Sequence, residues 1–277
     1  MNRRLKVLLR NRAAMAGAAI VALVAICALF AELLATHDPE RRDPRAFRAP
    51  PSSEHWLGTD ENGFDVFSRV VHGARSSLVA ALCAVGLALL VGVPLGLVAG
   101  WRGGLVDGAI MRLADVMLAF PSVLLAVAIA ALFHRHSLVT VVIAVAVVMV
   151  APFIRQVRAA VLQIKPLEYV AAARALGAGD ARILFRTVLP NCIAPILVLA
   201  TLSTGIAVLD AAGLSFLGLG PPETSPEWGV MLTKAFRYLR HAEQWILLPP
   251  GLAIAFTVLG FNLLGDGLRD AFDPRRS

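Results

Sequence analysis

The sequence predicts an all-α membrane protein with about six transmembrane helices. Of its 277 residues, 58% are hydrophobic and only 16% are charged, against roughly 45–50% and about 25% in soluble domains. The mean hydropathy is +0.73. Several apolar runs also reach the ~20 residues that a helix needs to cross the hydrocarbon core of a bilayer. Composition and run length together therefore indicate a polytopic protein whose solvent is lipid.

Six apolar runs are long enough to span a membrane. The predicted spans cover residues 13–35, 77–100, 113–133, 137–154, 191–213 and 245–265. An even number of spans places both ends of the chain on one side of the membrane. Because most Lys and Arg residues lie in the short segments on that side, the positive-inside rule predicts that both termini are cytoplasmic. The predicted order is a cytoplasmic tail at 1–12, an extracytoplasmic loop at 36–76, a five-helix core at 77–266 and a cytoplasmic tail at 267–277.

The first span follows a basic N-terminal segment, which is also the arrangement of a secretory signal peptide. The apolar run at 13–35 is longer than the apolar core of a signal peptide, which has about 7–15 residues. No small-x-small cleavage site precedes the polar loop. We therefore expect an uncleaved first transmembrane helix.

The outer loops contain ordered segments. Asp65 is expected to cap a short helix before the second span, because its carboxylate can accept a backbone N–H of the first turn. The acidic stretch 60–65 lacks the full spacing and closing Glu of a calcium loop, so turn and cap chemistry is expected there instead. In the last outer loop, Trp228 begins an amphipathic stretch that is expected to lie at the membrane surface, with Trp245 at the interface.

The spans contain small residues and prolines at positions that matter for packing. Gly92, Gly96 and Gly100 repeat every four residues in the second span, a spacing that lets two transmembrane helices approach closely. Prolines within or beside several spans predict kinks that neighbouring helices or water compensate. These features favour a packed, mobile bundle over a lone membrane anchor.

Motif searches argue against an enzyme. The sequence has no GxxxxGK[ST] phosphate loop, so no ATP site of that type is expected in this chain. Ser215 lacks the closing Gly of a nucleophile elbow, and no His is predicted within a span to act as its base. The three Cys are far apart, and His134 and His136 would make a poor chelate, so no metal site is predicted. The net charge of +7 is spread among loops, which argues against nucleic-acid binding.

The segment 155–190 is basic and polar although it separates two apolar spans. Pro166 suits the first position of a helix that contains the run LEYVAAARAL, and Gly177 suits the end of that helix. Asp180 is then expected to cap a second short helix that Pro190 stops. Two interpretations remain: a solvated connecting loop, or an ordered helix pair whose small-residue face docks into a groove of a partner.

This segment resembles the cytoplasmic EAA motif of ABC-importer permeases, Glu-Ala-Ala-x3-Gly-x9-Ile-x-Leu-Pro, counted from Ala171. The matching positions are Ala172, Ala173, Gly177, Leu189 and Pro190. Two positions depart from the motif, because Ala171 stands where Glu is usual and Thr187 where Ile is usual. The lost carboxylate removes a charge that such a motif normally presents, whereas the backbone shape is expected to survive.

Three further segments resemble the peptide and nickel branch of this family. They are HWLGTDENGFDVFSRVVHGARSSL before the second span, AGLSFLGLGPPETSPEWGVML at the exit of the fifth span, and LGDGLRDAFDPR near the C-terminus. Phe64 stands where an Arg is common in that branch. The resemblance covers the chain from about residue 55 onward.

The resemblance implies a type I ABC importer permease fold in a bacterial inner membrane. It implies that the chain forms half of a translocation path with a homologous second permease. It further implies two ATP-binding subunits or domains and an extracytoplasmic substrate-binding protein as partners. ATP would be bound by the partner subunits, so no cofactor is expected in this chain. Residues 168–190, including Glu168, would form the coupling element that the ATPases push during alternating access.

The resemblance favours di- or oligopeptides as the substrate. Nickel or nickel chelates and glutathione are alternatives for the same machinery. A stand-alone secondary carrier is less expected, because it would need paired intramembrane charges for ion coupling and the spans offer little beyond Asp210.

Asp210 is the ionisable residue that the sequence singles out within a span. An Asp at the centre of a transmembrane helix costs on the order of 2.5–3.5 kcal/mol on insertion scales, so the position calls for a partner or a wet cavity. Two interpretations remain open. Asp210 either lies near the outer interface and bonds a neighbouring loop, or it lines the translocation path or its outer gate.

Overall fold

The computed structural model describes residues 9–133, 135–237 and 243–272, with only the backbone described at 234–237. Residues 1–8 and 273–277 of the predicted tails, and His134, lie outside the described residues. The helices are α1 Arg12–Leu29, α2 Ala31–Leu34, α3 Val66–Arg102, α4 Gly104–Ala119, α5 Ser122–Ala131, α6 Leu138–Ile164, α7 Glu168–Ala175, α8 Asp180–Ile183, a π-helical turn Leu184–Val188, α9 Leu189–Phe216, α10 Trp228–Arg237 and α11 Gln244–Phe272. This architecture confirms the predicted all-α fold.

Five helical stretches in the described part of the chain are long and apolar enough to cross a membrane. They are α1, α3, α6, the continuous stretch from α8 to α9, and α11. The pair α4 and α5 makes a sixth if the two are counted as one bent span. The prediction of about six spans is confirmed, although several of the predicted boundaries are wrong. α1 ends at Leu29 rather than 35, and α11 runs on to Phe272 rather than ending at 265.

The predicted span at 113–133 is bent at Pro121, as expected from a proline within a span. α4 ends at Ala119 and α5 starts at Ser122, and the two helices meet at 96°. Pro121 explains the break, since a proline disfavours the α conformation of the residue before it. Phe120 accordingly has the extended angles φ −90° and ψ 142°.

Asp65 caps a helix as predicted, but the helix is long. Its carboxylate accepts the Ser68 N–H at 2.8 Å, and α3 then continues for 37 residues. At 1.5 Å per residue α3 is about 55 Å long, well beyond the ~30 Å of a bilayer core. The predicted outer loop at 36–76 therefore ends at residue 65, because the short helix after Asp65 and the second span form one continuous helix.

α6 also continues past its predicted end, so residues 155–164 are helix rather than loop. The buried side chains of Val157 and Val161 face Gly96 and Gly100 of α3. A Cβ built on either glycine would lie 2.7 Å from the Cβ of the facing valine. This contact confirms the close helix approach predicted from the glycine repeat, and it stabilises the extension of α6.

The predicted helix stop at Pro190 is wrong, because α8, the π-helical turn and α9 follow one another without a break. A proline lacks the N–H and clashes with the carbonyl four residues earlier in an α-helix. The π-helical turn just before Pro190 changes that spacing, and the Leu189 N–H bonds the Leu184 carbonyl five residues back. The second helix of the predicted pair and the fifth span are therefore one element.

α6 lies at the centre of the bundle. In its apolar stretch of 18 residues 61% of the residues are buried, compared with 17% in the corresponding stretch of α1. α3 and α9 pack on α6, α11 packs on α9, and α1 packs on α11. Trp101, near the C-terminal end of α3, contacts Lys165 at the end of α6. The segment that follows α6 thus lies at the opposite end of α3 from the loop that precedes α3.

Candidate functional site

Residues 165–190, called the insert below, fold as a short helix followed by a sharp turn. α7 begins at Glu168, and its N-cap is Leu167, which makes no side-chain cap. Pro166 therefore precedes the N-cap and does not occupy the first helical position that the sequence predicted. The turn after α7 leads directly into α8.

Gly177 ends α7 through its backbone conformation. Its φ is +80°, in the left-handed region that favours glycine. The Gly177 N–H bonds the Arg174 carbonyl at 3.0 Å, and the Ala178 N–H bonds the Ala173 carbonyl at 3.1 Å. These two bonds form a Schellman motif. The predicted helix-ending role of Gly177 is confirmed.

Asp180 does not cap the second helix. It is the first residue of α8, whose N-cap Gly179 makes no side-chain cap bond. The Asp180 carboxylate lies instead 3.5 Å from the Arg174 guanidinium, with both side chains exposed. The pair links the two arms of the insert across the Gly177 turn, and a surface ion pair of this kind adds about 0–1 kcal/mol.

The motif residues divide between an exposed face and a packed face. Glu168, Ala171, Ala172, Gly177 and Pro190 are exposed, whereas Ala173 and Leu189 are half-buried. The exposed side also carries large apolar side chains, with Leu176 88% and Phe185 61% exposed. Small and apolar residues presented together to solvent are typical of a protein–protein interaction site.

The exposed face also bears on the substitution at Ala171. Glu168 lies three residues earlier, and residues three apart in a helix are neighbours on one face. Glu168 is exposed and has no ion pair or hydrogen bond among the described residues apart from the helix backbone. A carboxylate is therefore presented within one turn of the position where the motif usually has its Glu.

The packed face of the insert is fixed to the ends of α3 and α6. Val170, Ile183 and Val188 are buried in one apolar cluster with Trp101 and Val161. The sequence did not identify this cluster, because its members come from three separate segments. The insert is therefore in direct contact with the ends of both long helices.

Trp101 is the centre of that attachment. The Lys165 ammonium lies 5.6 Å and the Arg174 guanidinium 5.4 Å from the centroid of its ring. Lys165 Nζ also donates to the Trp101 carbonyl at 2.6 Å. Cations within about 6 Å of an indole ring are attracted to its face, so two basic residues that could be read as partner contacts instead brace the insert against α3.

Ion pairs connect α4 to α6 at the same end of the bundle. Arg158 Nη2 donates to Asp107 Oδ2 at 2.7 Å, and Arg158 Nε donates to the other carboxylate oxygen. Arg155 Nη2 donates to Asp115 Oδ1 at 3.2 Å. The bidentate geometry of the first pair is the stronger arrangement, and it fixes the first arm of the bent span to the central helix.

At the other end, Arg69 and Glu227 hold the loop before α10, predicted to be the last outer loop, on α3. The Arg69 side chain is fully buried and donates to the carbonyls of Glu223, Thr224 and Ser225. Glu227, also buried, accepts the N–H groups of residues 229 and 230 and the hydroxyl of Ser77. Burial raises the pKa of Glu227, while the backbone hydrogen bonds lower it in part.

The expected surface position of Trp228 is wrong. Its side chain is 2% exposed, and its Nε1 donates to the Val70 carbonyl at 2.9 Å. α10 packs against α9, α11 and α3, because the buried Arg69 and Glu227 fix the loop before it. Residues 238–242 of the predicted amphipathic stretch lie outside the described residues.

Asp210 is half-buried in α9, and its carboxylate makes no hydrogen bond or ion pair within the described ranges 9–133, 135–237 and 243–272. The predicted bond to a neighbouring loop is therefore not found there. The residue before Asp210, Leu209, lines a groove of about 630 Å³ between α9, α10 and α11.

Comparisons with known proteins agree with this architecture. Residues 92–277 match the family model of the binding-protein-dependent transport system inner membrane component. Residues 2–51 match the N-terminal transmembrane domain of oligopeptide transport permease C.

Curated relatives match over almost the whole chain. The dipeptide transport system permease protein DppC of Alkalihalophilus pseudofirmus is 46% identical over 270 residues, which are 98% of this chain and 88% of the relative. The glutathione transport system permease protein GsiD of Pectobacterium atrosepticum is 43% identical over 268 residues, which are 96% of this chain and 88% of the relative.

A solved structure of the inward-facing MetNI methionine ABC transporter superposes with a TM-score of 0.60 at 17% identity, over 74% of this chain and 97% of the matched chain. That likeness concerns the fold. Together with the family model and the curated relatives, it shows that the chain belongs to the family of binding-protein-dependent transport system inner membrane components and is a multi-pass permease of an ABC importer.

Proposed function

We propose that the chain carries di- or oligopeptides inward as one of two permease subunits of its importer. The observation that carries the peptide assignment is the 46% identity to a dipeptide transport system permease over 98% of the chain. Glutathione, itself a tripeptide, is the second candidate, because a glutathione transport system permease is 43% identical. Nickel chelates remain a substrate predicted only from the sequence resemblance. Membership in a binding-protein-dependent family argues against a stand-alone secondary carrier.

The insert is proposed as the coupling element. Its exposed face of small and apolar residues would dock into an ATP-binding partner, and its packed face is joined to α3 and α6 through Trp101. A push on α7 would therefore reach both long helices directly. ATP would bind to the partner subunits, and the insert would lie with both chain termini in the cytoplasm, as the distribution of basic residues favours.

Asp210 is proposed to face the translocation path or its outer gate. An unpaired carboxylate in contact with lipid is costly, and Asp210 has no partner in the part of the chain that the structure describes. A wet path shared with a homologous second permease would hydrate the carboxylate. The heterodimeric pairing itself rests on the sequence resemblance.

The test is reconstitution of the complex that co-purifies with the tagged chain. We expect two ATP-binding subunits and a second permease. With the cognate binding protein added, proteoliposomes should accumulate a labelled dipeptide only when ATP is supplied. Excess unlabelled dipeptide should abolish the signal, whereas glutathione or a nickel chelate should compete weakly.

Two results would contradict the proposal. Transport by the chain alone without ATP would exclude the coupling role of the insert. Competition by glutathione but not by dipeptides would move the substrate to the second candidate and leave the importer mechanism in place.

A further inference from the structure

Three metal-ligating side chains meet in the first outer loop, at the end of the molecule opposite the insert. His37, Glu54 and His55 each bring one ligand atom within 4.8 Å of the ligand atoms of the other two. His37 follows α2, whereas Glu54 and His55 belong to the turn before α3. A search for local ligand spacing misses this cluster because the loop must fold back to form it.

His55 is already oriented as a metal ligand would be. Its side chain is buried, and its Nδ1 lies 2.8 Å from Oδ1 of the buried Asp65. Metal-bound histidines usually donate their second ring N–H to a carboxylate, which fixes the tautomer and raises the basicity of the ligating nitrogen. With Nδ1–H directed to Asp65, the lone pair of His55 is on Nε2.

Asp65 is itself held in place. Its other carboxylate oxygen accepts the Ser68 N–H at 2.8 Å at the start of α3. The orienting carboxylate is thus part of a 37-residue helix and not of a free loop. A ligand supported in this way keeps its position before a metal ion arrives.

His37 and Glu54 supply the adjustable half of the cluster. The His37 ring stacks on the His55 ring, with centroids 4.6 Å apart and planes at 30°. Its Nδ1 lies 3.0 Å from the Thr36 hydroxyl, which leaves Nε2 available. The His37 ring is partly exposed, with its Nδ1 also 3.7 Å from Asp65 Oδ1, and Glu54 is exposed, so both can adjust toward an ion from the open side of the cluster.

The three side chains line an open cavity of about 540 Å³. The other charged residues in its lining are Asp38, Arg41, Arg42, Asp43, Arg45 and Asp65. Three carboxylates therefore offset the three guanidinium groups, and Glu54 gives the cavity one carboxylate more. The space is ample for the water molecule that occupies the fourth position of a three-ligand zinc site.

We propose that His37, His55 and Glu54 bind one divalent transition-metal ion of the Zn²⁺ class, with Asp65 as the supporting carboxylate. Two imidazoles and one carboxylate favour Zn²⁺, Cu²⁺ or Ni²⁺ over Mg²⁺ and Ca²⁺, which prefer oxygen ligands. The bound ion would join the segment after α2 to the turn before α3 and so fix the outer loop. This site departs from the sequence expectation of no metal, and it does not depend on which substrate is transported.

The test uses the full-length chain purified through a tag without histidines, stripped with a chelator and titrated with Zn²⁺ by calorimetry. We expect one ion per chain. His37→Ala and Glu54→Gln should each weaken binding by at least about 10-fold, and Asp65→Asn, which can still cap α3, by roughly 10–100-fold. His136→Ala, an exposed histidine elsewhere in the chain, should bind Zn²⁺ like the wild type.

Zinc-edge X-ray absorption of the loaded protein should give two imidazole nitrogens and carboxylate oxygen in the first coordination sphere. The proposal is overturned if Zn²⁺ binds without saturation at one ion per chain. It is also overturned if Glu54→Gln leaves the Zn²⁺ affinity unchanged, which would indicate adventitious binding. Because Glu54 is exposed, the Gln variant decides the question even where a histidine variant fails to fold.

Discussion

Gly177 acts through its backbone and not through contacts of a side chain. A Cβ built at Gly177 meets nothing within 4 Å among the described residues, yet the φ of +80° strains any other residue. Gly179, two residues on, also has open space around it, but its φ is −69° and its ψ 154°, which suit a β-branched residue. Substitutions at these two glycines therefore distinguish the effect of backbone strain from the effect of an added side chain.

We expect Gly177→Val to uncouple the importer. The left-handed conformation costs a β-branched residue roughly 1–2 kcal/mol, enough to shift the population of the native turn about 5–30-fold. ATP hydrolysis by the assembled complex should continue while peptide uptake per ATP falls. Gly179→Val is the matched control and should keep normal coupling; equal coupling in both variants would exclude the docking role of the turn.

Burial of Glu227 is expected to make the stability of the loop before α10 depend on pH. Its pKa is raised by burial from the ordinary value of 4.5, so folding favours the protonated form. The stability that this group contributes is therefore present at low pH and is lost as the pH rises through the raised pKa.

We expect Glu227→Gln to remove this pH dependence. The thermal stability of the wild type should fall relative to that of the Gln variant as the pH rises above 4.5, the ordinary value. Melting curves of both proteins across that range measure the difference. A constant difference between the two proteins at every pH would contradict the assignment to Glu227.

At the scale of elements, the contact between α3 and α6 depends on glycines on one face of α3. A Cβ on Gly92 would lie 2.7 Å from the Cβ of Phe153, whereas a Cβ on Gly86 would have no neighbour within 4 Å in the part of the chain that the structure describes. Alanine at Gly86 therefore changes helix propensity alone, whereas alanine at Gly96, which faces α6 as Gly92 does, also affects how closely the two helices approach.

We expect Gly96→Ala to destabilise the protein and Gly86→Ala to leave it unchanged or slightly more stable. The new Cβ on Gly96 would lie 2.8 Å from the Ile154 carbonyl oxygen and force the helices apart. Overpacking of this kind costs about 1–3 kcal/mol, whereas alanine in an open helix position gains roughly 0.5–1 kcal/mol over glycine. Thermal melts in detergent compare the pair, and a lower melting temperature for Gly86→Ala would contradict the assignment of the two faces.

For the whole molecule, the arrangement joins two distant ends through long continuous helices. α3 carries the Arg69 attachment of the outer loop near its first turn and the Trp101 attachment of the insert near its last. The helix from Asp180 to Phe216 carries the insert at one end and Asp210 near the other. A rigid displacement of either helix would therefore move residues at both ends of the bundle.

We expect Asp210→Asn to lower substrate uptake while the complex still assembles and hydrolyses ATP, because the carboxylate is proposed to face the path. Uptake by proteoliposomes, normalised to the amount of complex, is the measurement. Glu32→Gln is the control, since Glu32 is an exposed carboxylate near the end of the first span. Unchanged uptake by the Asn variant would exclude Asp210 from the path.

Much of this molecule could be predicted from sequence because lipid imposes a simple rule on it. Every span must be a long apolar helix, and a left-handed turn at Gly177 follows from a residue type with few alternatives. The boundaries were harder. The short helix predicted after Asp65 is continuous with the second span, and residues 155–164, which are polar enough to suggest a loop, extend α6.

By itself the sequence determined the number of spans, the close approach at the glycine repeat and the position of the insert, because each depends on local composition or spacing. Tertiary structure alone decided which residues meet across the chain. It placed Trp101 between Lys165 and Arg174, enclosed Arg69 in loop carbonyls, and brought His37 to His55. These contacts join segments whose separation along the chain carries no information about distance, so only the folded packing brings them together.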